Sequence, residues 1–191
     1  MFARYLRPSL SLVFAMTVLL GLIYPLMITG ISKVAYHSQA DGSLLRKGDT
    51  VIGSTLIGQN FSDPKYFWGR PSATSPQPYN GIGSAGSNLG PLNPALIDKV
   101  NANAKALRDA DPLNKDPIPV ELVTASASGL DPEISPAAAF YQAGRVARSR
   151  NIPLATVKAL IAEHRRGPLL GIFGESRINV LELNMALDQR R

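Results

Sequence analysis

The 191-residue chain contains no cysteine, so disulfide frameworks and thiolate metal sites are excluded. Histidine is nearly as scarce. His37 and His164 are the only two, and they form neither a His-x-x-x-His pair nor a cluster with any thiol. His164 follows the run ending Ile161-Ala162, where a cation favours a helix C-terminus. The phosphate loop G-x-x-x-x-G-K-[ST] and the nucleophile elbow G-x-S-x-G are both missing. Gly81-x-Gly83-x-x-Gly86 matches the dinucleotide fingerprint as a string only. Prolines precede it where a strand is required, and Leu89-Gly90-Pro91 interrupts any helix after it, so it reads as a turn-rich loop. The residues therefore define no catalytic group and no metal site.

A concentrated basic stripe is also lacking. The net charge is +6, but Arg4, Arg7 and Lys33 belong to the N-terminal segment, which leaves +3 on the remainder (17 basic, 14 acidic residues). The basic residues are scattered except for short groups such as Arg145, Arg148, Arg150 and Arg165-Arg166. This distribution argues against a nucleic-acid partner.

What the chain does have is one long uncharged run, from Pro8 to Ser32, bounded by Arg7 and Lys33. As a helix, residues 8–32 would extend about 37 Å, against a hydrocarbon core of roughly 30 Å. The run exceeds the apolar region of a signal peptide, and its far end has no Ala-x-Ala, so it reads as a retained anchor. Arg4 and Arg7 precede it, whereas Lys33 follows it alone before Arg46. The positive-inside bias predicts residues 1–7 in the cytoplasm, a span over 8–32, and an extracytoplasmic domain over 33–191. Ser11 and Ala15 are four apart, as are Thr17 and Gly21, a spacing that allows close helix packing in lipid. Such residues are also common in spanning helices generally. Pro25 predicts a bend in the outer half.

Beyond the span, Ala35 to Lys47 reads as a polar linker, and Val51 to Ile57 as a strand or hairpin. From Phe61 to Pro94 the chain is irregular, with six prolines, five glycines and the aromatic residues Tyr66, Phe67, Trp68 and Tyr79. Long irregular loops in compact domains are functional or disordered, and the aromatics argue against disorder. Asn93-Pro94 opens a helix with Leu96, Ile97, Val100, Ala104 and Leu107 on one face. Val120 to Ala125 reads as a strand. Ser135-Pro136 opens a second helix with Ala139, Ala143, Val146 and Ala147 inward. Leu154, Val157, Leu160 and Ile161 mark a third, stopped by Gly167-Pro168. The last has Asn179 as cap, Glu182 three residues on, and Val180, Leu183 and Leu187 inward. Helices with few strands predict a small α+β domain.

Aromatic area beside Arg70 matches the composition of interface hot spots. Tyr66, Phe67, Trp68, Arg70 and Tyr79, with Ser126, Ser128 and Asp131 of the small-residue turn, are candidates for a partner surface. A satellite core beneath the loop is the alternative reading.

Several stretches resemble the C subunit of the bacterial Kdp potassium-transporting ATPase. They are Gly21-Leu22-Ile23-Tyr24-Pro25, Gly53-Ser54-x-Leu56-Ile57-Gly58-Gln59-x-Phe61, Tyr66-Phe67-x-x-Arg70-Pro71-Ser72-Ala73 and Tyr79-Asn80. Gly86-Ser87-Asn88-Leu89-Gly90-Pro91, Pro119-Val120-x-Leu122-Val123-Thr124-Ala125-Ser126 and Ser128-Gly129-Leu130-Asp131-Pro132 continue the match. Ile134-Ser135-Pro136-Ala137-Ala138 and Gly174-Glu175-x-Arg177-x-Asn179-Val180-Leu181-Glu182-Leu183-Asn184 complete it. Ala85 and Ala127 stand where that family more often has Gly, and Glu133 where His is common.

The resemblance implies a non-catalytic accessory subunit of an ATP-driven potassium import pump in the bacterial inner membrane. Its implied partners are a potassium-channel-like subunit, an ATP-hydrolysing subunit, a small hydrophobic subunit and the lipid bilayer. It implies a role in assembly and a chaperone role that raises ATP affinity, with ATP and potassium handled by the complex and no cofactor assigned to this chain. By resemblance alone, Ser84, Gly86, Ser87 and Asn88 are nucleotide-binding candidates. A subunit contributing directly to the ATP site and an independent anchored binding domain remain as alternatives.

Overall fold

The computed structural model describes residues 2–190. Met1 and Arg191, the outer ends of the expected cytoplasmic tail and extracytoplasmic domain, lie outside the described residues. The chain forms two compact units, which divide between Val51 and Ile52.

The first unit is dominated by α1 (Phe2–Val18), a π-helical turn (Leu19–Ile23) and α2 (Tyr24–Ala35). The stretch Arg4–Ala35 is long and apolar enough to cross a membrane, and none of its hydropathic window is buried in protein. A helix apolar on every side and packed against nothing suits hydrocarbon rather than water. The disturbance expected at Pro25 takes the form of the π-helical turn before it. Proline has no amide proton, and its ring crowds the carbonyl four residues back, here that of Gly21. One widened turn relieves the conflict, and the Tyr24 N–H donates five residues back to the Leu19 carbonyl.

The expected linker after the span is more ordered than its polarity suggests. It contains the short helix α3 (His37–Ala40) and strand β1 (Leu44–Lys47), with Lys33 and His37 paired to Asp41. Strand β2 (Thr50–Ser54) completes a hairpin with β1. Gly48 takes a positive φ of 60° in its turn.

The second unit is built on α4 (Pro94–Ala110), α5 (Pro136–Arg150), α6 (Leu154–Glu163) and α7 (Val180–Gln189). Strands β3 (Glu133–Ile134) and β4 (Ile178–Asn179) pair antiparallel, with Ile134 opposite Ile178. This mixture of helices and small sheets is α+β in character. The caps fall where the sequence predicts them. Asn93 accepts from the Ala95 N–H at 3.0 Å, Ser135 from Ala138 at 3.2 Å and Asn179 from Glu182 at 3.1 Å. The Glu182 carboxylate does not fold back in a capping box; it holds Arg166 at 2.6 Å. The core joins Ala139, Ala143, Val146 and Ala147 of α5 to Val157, Leu160 and Ile161 of α6 and Val180, Leu183 and Leu187 of α7. Two expected core positions face solvent instead, Ile97 and Leu154.

The expected strand from Val120 to Ala125 is a 3₁₀ turn, Val120–Leu122. Its polar groups are met locally and by a helix rather than by a neighbouring strand. The Thr124 hydroxyl donates to the Val120 carbonyl at 2.9 Å, and Asn103 donates to the Val123 carbonyl at 3.1 Å. β-Branched residues favour a strand only where another strand is available to pair.

Candidate functional site

The aromatic segment 66–68 is fastened to the domain by side chains of two helices. Phe67 points inward, 0% exposed, into the cluster formed by α5, α6 and α7. Its ring therefore belongs to the core and not to a surface, which corrects its assignment with the other aromatics. The loop has no period from which inward and outward positions can be told apart. Asn184 of α7 accepts the Phe67 N–H at 2.9 Å and donates to the Phe67 carbonyl at 3.0 Å. Gln142 of α5 does the same for Trp68.

Arg145, one turn beyond Gln142, donates to the carbonyls of Pro64 at 2.6 Å and Tyr66 at 3.1 Å, and to Gln142 Oε1 at 2.6 Å. Its guanidinium lies 4.4 Å from the Trp68 ring centroid. Burial pushes its pKa down to about 10, although Asp111 and Asp63 favour the charge. Trp68 donates its indole N–H to the Asp63 carbonyl at 3.1 Å, and the Tyr66 hydroxyl donates to Asp188 at 3.1 Å. Arg150 lies over the Tyr66 ring and pairs with Asp188 at 2.8 Å. Gln142, Arg145 and Asn184 fasten this segment, and motif reading misses them. The available signal is a polar residue inside an otherwise apolar helical stripe.

Farther along, the Pro- and Gly-rich loop lies against the turn at residues 126–132. Arg70 pairs with Asp131 at 3.1 Å, and its buried Nε has no hydrogen-bond partner. Asp131 also caps the Glu133 N–H at 3.0 Å. The Ser72 hydroxyl donates to the Gly129 carbonyl at 2.6 Å, and Ser84 and Ala85 both donate to the Ser128 carbonyl. Ser126 is buried and accepts the Gly129 N–H at 2.9 Å; the Ser128 hydroxyl accepts from Leu130 at 3.1 Å. Gly129 takes a φ of +66°, and a Cβ there would lie 2.6 Å from the Ala85 carbonyl oxygen. A Cβ on Gly86 would lie 2.8 Å from that of Ala127. The small residues thus allow two backbones to approach closely.

Tyr79, at a φ of 57°, donates its hydroxyl to the Arg70 carbonyl at 2.5 Å. Burial, reinforced by Asp131, pushes its pKa up to about 12. Trp68, Arg70, Ser72, Tyr79 and Asn103 are among the residues that line an open cleft of about 250 Å³. A second cleft of about 250 Å³ is lined by Ser72, Ser87, Lys99 and Thr124.

The four nucleotide candidates have different surroundings. Ser84 and Gly86 serve the contact with the turn, Ser87 lines the second cleft, and Asn88 is exposed with a φ of 51°. Ser11, Ala15 and Thr17 lie on α1 and Gly21 in the π-helical turn, all exposed. Among the described residues, no group of three or more His, Asp or Glu side chains is arranged to hold a metal ion.

The sequence pattern of the family described as "KdpC: K+-transporting ATPase, c chain" matches residues 6–189. The chain is 62% identical over 183 residues to the potassium-transporting ATPase KdpC subunit of Variovorax paradoxus, covering 96% of this chain and 95% of that one. The protein of the same name from Dechloromonas aromatica is 61% identical over 183 residues, covering 96% of each chain. The one from Ralstonia nicotianae is 59% identical over 182 residues, covering 95% of this chain and 89% of that one.

Proposed function

The chain belongs to the KdpC family, the c chains of the K+-transporting ATPase, and from that membership we propose how it serves such a pump. It is an accessory subunit of a potassium pump, without catalytic chemistry of its own. It sits in the bacterial inner membrane, with residues 1–7 in the cytoplasm, residues 8–32 as a single span and residues 33–191 as an extracytoplasmic domain. Its work is assembly. The small-residue pairs Ser11/Ala15 and Thr17/Gly21, on different sides of the helix, pack the span on helices of other subunits. The cleft rim formed by Trp68, Arg70 and Tyr79, with Ser128 and Asp131 behind it, receives a partner outside the membrane. Those partners are a potassium-channel-like subunit, an ATP-hydrolysing subunit and a small hydrophobic subunit.

The observation that carries this reading is the family match from residue 6 to residue 189, which takes in the apolar helix as well as the domain. Co-purification from membranes in mild detergent tests it. The other pump subunits are expected in defined amounts with the tagged chain. Recovery of the chain alone from cells that produce a working pump overturns the reading. Reporter fusions test the topology separately: a periplasm-active reporter after residue 191 is expected to work and a cytoplasm-active one to fail.

A further inference from the structure

Between α6 and β4 the chain makes a small hairpin of its own. Arg166 and Arg177 pair at its base, with reciprocal N–H to carbonyl bonds of 2.8 and 2.9 Å. Leu169 and Phe173 pair near its tip, at 2.8 and 2.9 Å. The tip reads Pro168-Leu169-Leu170-Gly171-Ile172-Phe173, without one polar side chain. Its four large apolar residues point into solvent: Leu169 is 66% exposed, Leu170 81%, Ile172 79% and Phe173 63%. Contiguous apolar exposure of this kind marks an interaction site rather than a tolerated surface.

Three features of the hairpin select the occupant. First, most of the tip's amides are met within the hairpin. The amides of Leu169, Gly171, Ile172 and Phe173 all donate within the turn, and Pro168 has no amide proton. Four tip amides are thus met internally, which lowers the cost of leaving water, and the headgroup boundary still offers hydrogen bonds to the groups at the apex. Second, charge is confined to the base. Arg166 is held by Glu182 at 2.6 Å, Arg177 by Glu133 at 3.0 Å, and Arg165 donates to Ser176 at 2.9 Å. That arrangement leaves the tip uncharged, with paired arginines and the exposed Glu175 kept below it at the level of polar headgroups. Third, the span at residues 8–32 tethers the domain to a bilayer, and residues 34–51 extend at most about 60 Å, so lipid is always within reach at high effective concentration. Protein hot spots are built instead from Trp, Tyr and Arg, and the tip has none of these.

We propose that the tip Pro168–Phe173 inserts into the leaflet on the domain's own side of the membrane, as a second and shallow lipid contact of this chain. The proposal rests on the reading of residues 8–32 as a membrane span. Insertion reaches the boundary between headgroups and acyl chains, the depth typical of interfacial anchors. With the span, it makes a two-point attachment that limits the rotation of the domain about its tether.

The absence of native cysteine allows single labels on the full chain. Leu170→Cys and Ile172→Cys, with Asn101→Cys on the exposed face of α4 and Leu26→Cys in the span, are each labelled with the environment-sensitive dye NBD. The labelled chain is reconstituted alone in phosphatidylethanolamine–phosphatidylglycerol vesicles that carry a lipid-borne nitroxide quencher. Labels at 170 and 172 are expected to shift to the blue and to be quenched severalfold more than the label at 101. The Leu169→Asp/Ile172→Asp variant, labelled at Leu170→Cys, is expected to lose that quenching. Tip labels that stay water-exposed with the chain alone and become shielded only when the other pump subunits are added overturn the proposal in favour of a protein contact. Tip labels that stay water-exposed in both settings overturn it outright. An unquenched label at Leu26 overturns the membrane-span reading itself and is distinguishable from failure at the tip.

Discussion

Gln142 and Trp68 exchange two hydrogen bonds: Gln142 Oε1 accepts the Trp68 N–H at 2.8 Å, and Gln142 Nε2 donates to the Trp68 carbonyl at 3.0 Å. A helix side chain thus meets a loop residue as a neighbouring strand would, donor to acceptor and acceptor to donor. Asn184 repeats the arrangement at Phe67. Residues 67 and 68 are held by amides from α5 and α7 and need no sheet.

Gln142→Ala is expected to destabilise the full chain by about 2 kcal/mol or more, because it strands buried backbone groups of Trp68 and one donor of Arg145. Denaturant unfolding of the detergent-solubilised protein measures this. An unchanged midpoint contradicts the pairing.

Phe67 and Trp68 are adjacent but differ in role. Phe67→Ala is expected to cost about 3–5 kcal/mol, as for a fully buried aromatic. Trp68→Ala is expected to cost clearly less, since its ring is only partly buried, and to reduce pump recovery in co-purification. Equal losses of stability with normal pump recovery would place both rings in the core and remove Trp68 from the partner surface.

Gly129→Ala places a methyl group against the Ala85 carbonyl at a positive φ. It is expected to cost about 1–3 kcal/mol, and more if the loop and turn separate. Proteolysis within residues 80–93 is the sensitive readout, and cleavage there should accelerate.

Tyr79 gives stability a pH dependence of known sign. Its folded pKa is raised from 10.0 to about 12. The folded state therefore keeps its proton where the unfolded state loses it. This contribution is complete below pH 10 and is lost as the pH rises towards about 12. Arg145, whose pKa is lowered from 12.5 to about 10, acts in the opposite direction over nearly the same range. Phenolate absorbance separates the two, since only tyrosine contributes. Burial raises Tyr141 as well, but the step at about 12 belongs to Tyr79, and Tyr79→Phe should remove that step.

The two small-residue pairs of the span, on different sides of the helix, are tested one each by Ala15→Leu and Gly21→Leu. Larger side chains hold helix backbones apart. Membrane insertion should survive while recovery of the other pump subunits falls; undiminished recovery would mean that the helix only tethers.

Helix starts were readable because their causes are local. At Ser135-Pro136 and Asn93-Pro94 a side-chain acceptor and a fixed φ lie within one turn of each other. The inward face of α5 was readable from its alanine spacing. Val120 to Ala125 was misread because a strand requires a distant partner, which local composition does not encode. Phe67 was misread for a related reason, since its burial depends on helices more than 60 residues away. The roles of Gln142, Arg145 and Asn184 were hidden because their partners are backbone groups, which carry no residue identity.

The π-helical turn at Leu19–Ile23 has a geometric corollary for the anchor. One residue inserted into an α-helix turns everything after it by about 100° around the axis. Ser11 and Ala15 therefore face one azimuth, while residues spaced from them in the usual multiples of the helical repeat, beyond Pro25, face another. On the proposed span, the surface before the turn and the surface after it are therefore set at different azimuths. A substitution on the Ser11/Ala15 side is then expected to leave contacts of the half beyond Pro25 undisturbed.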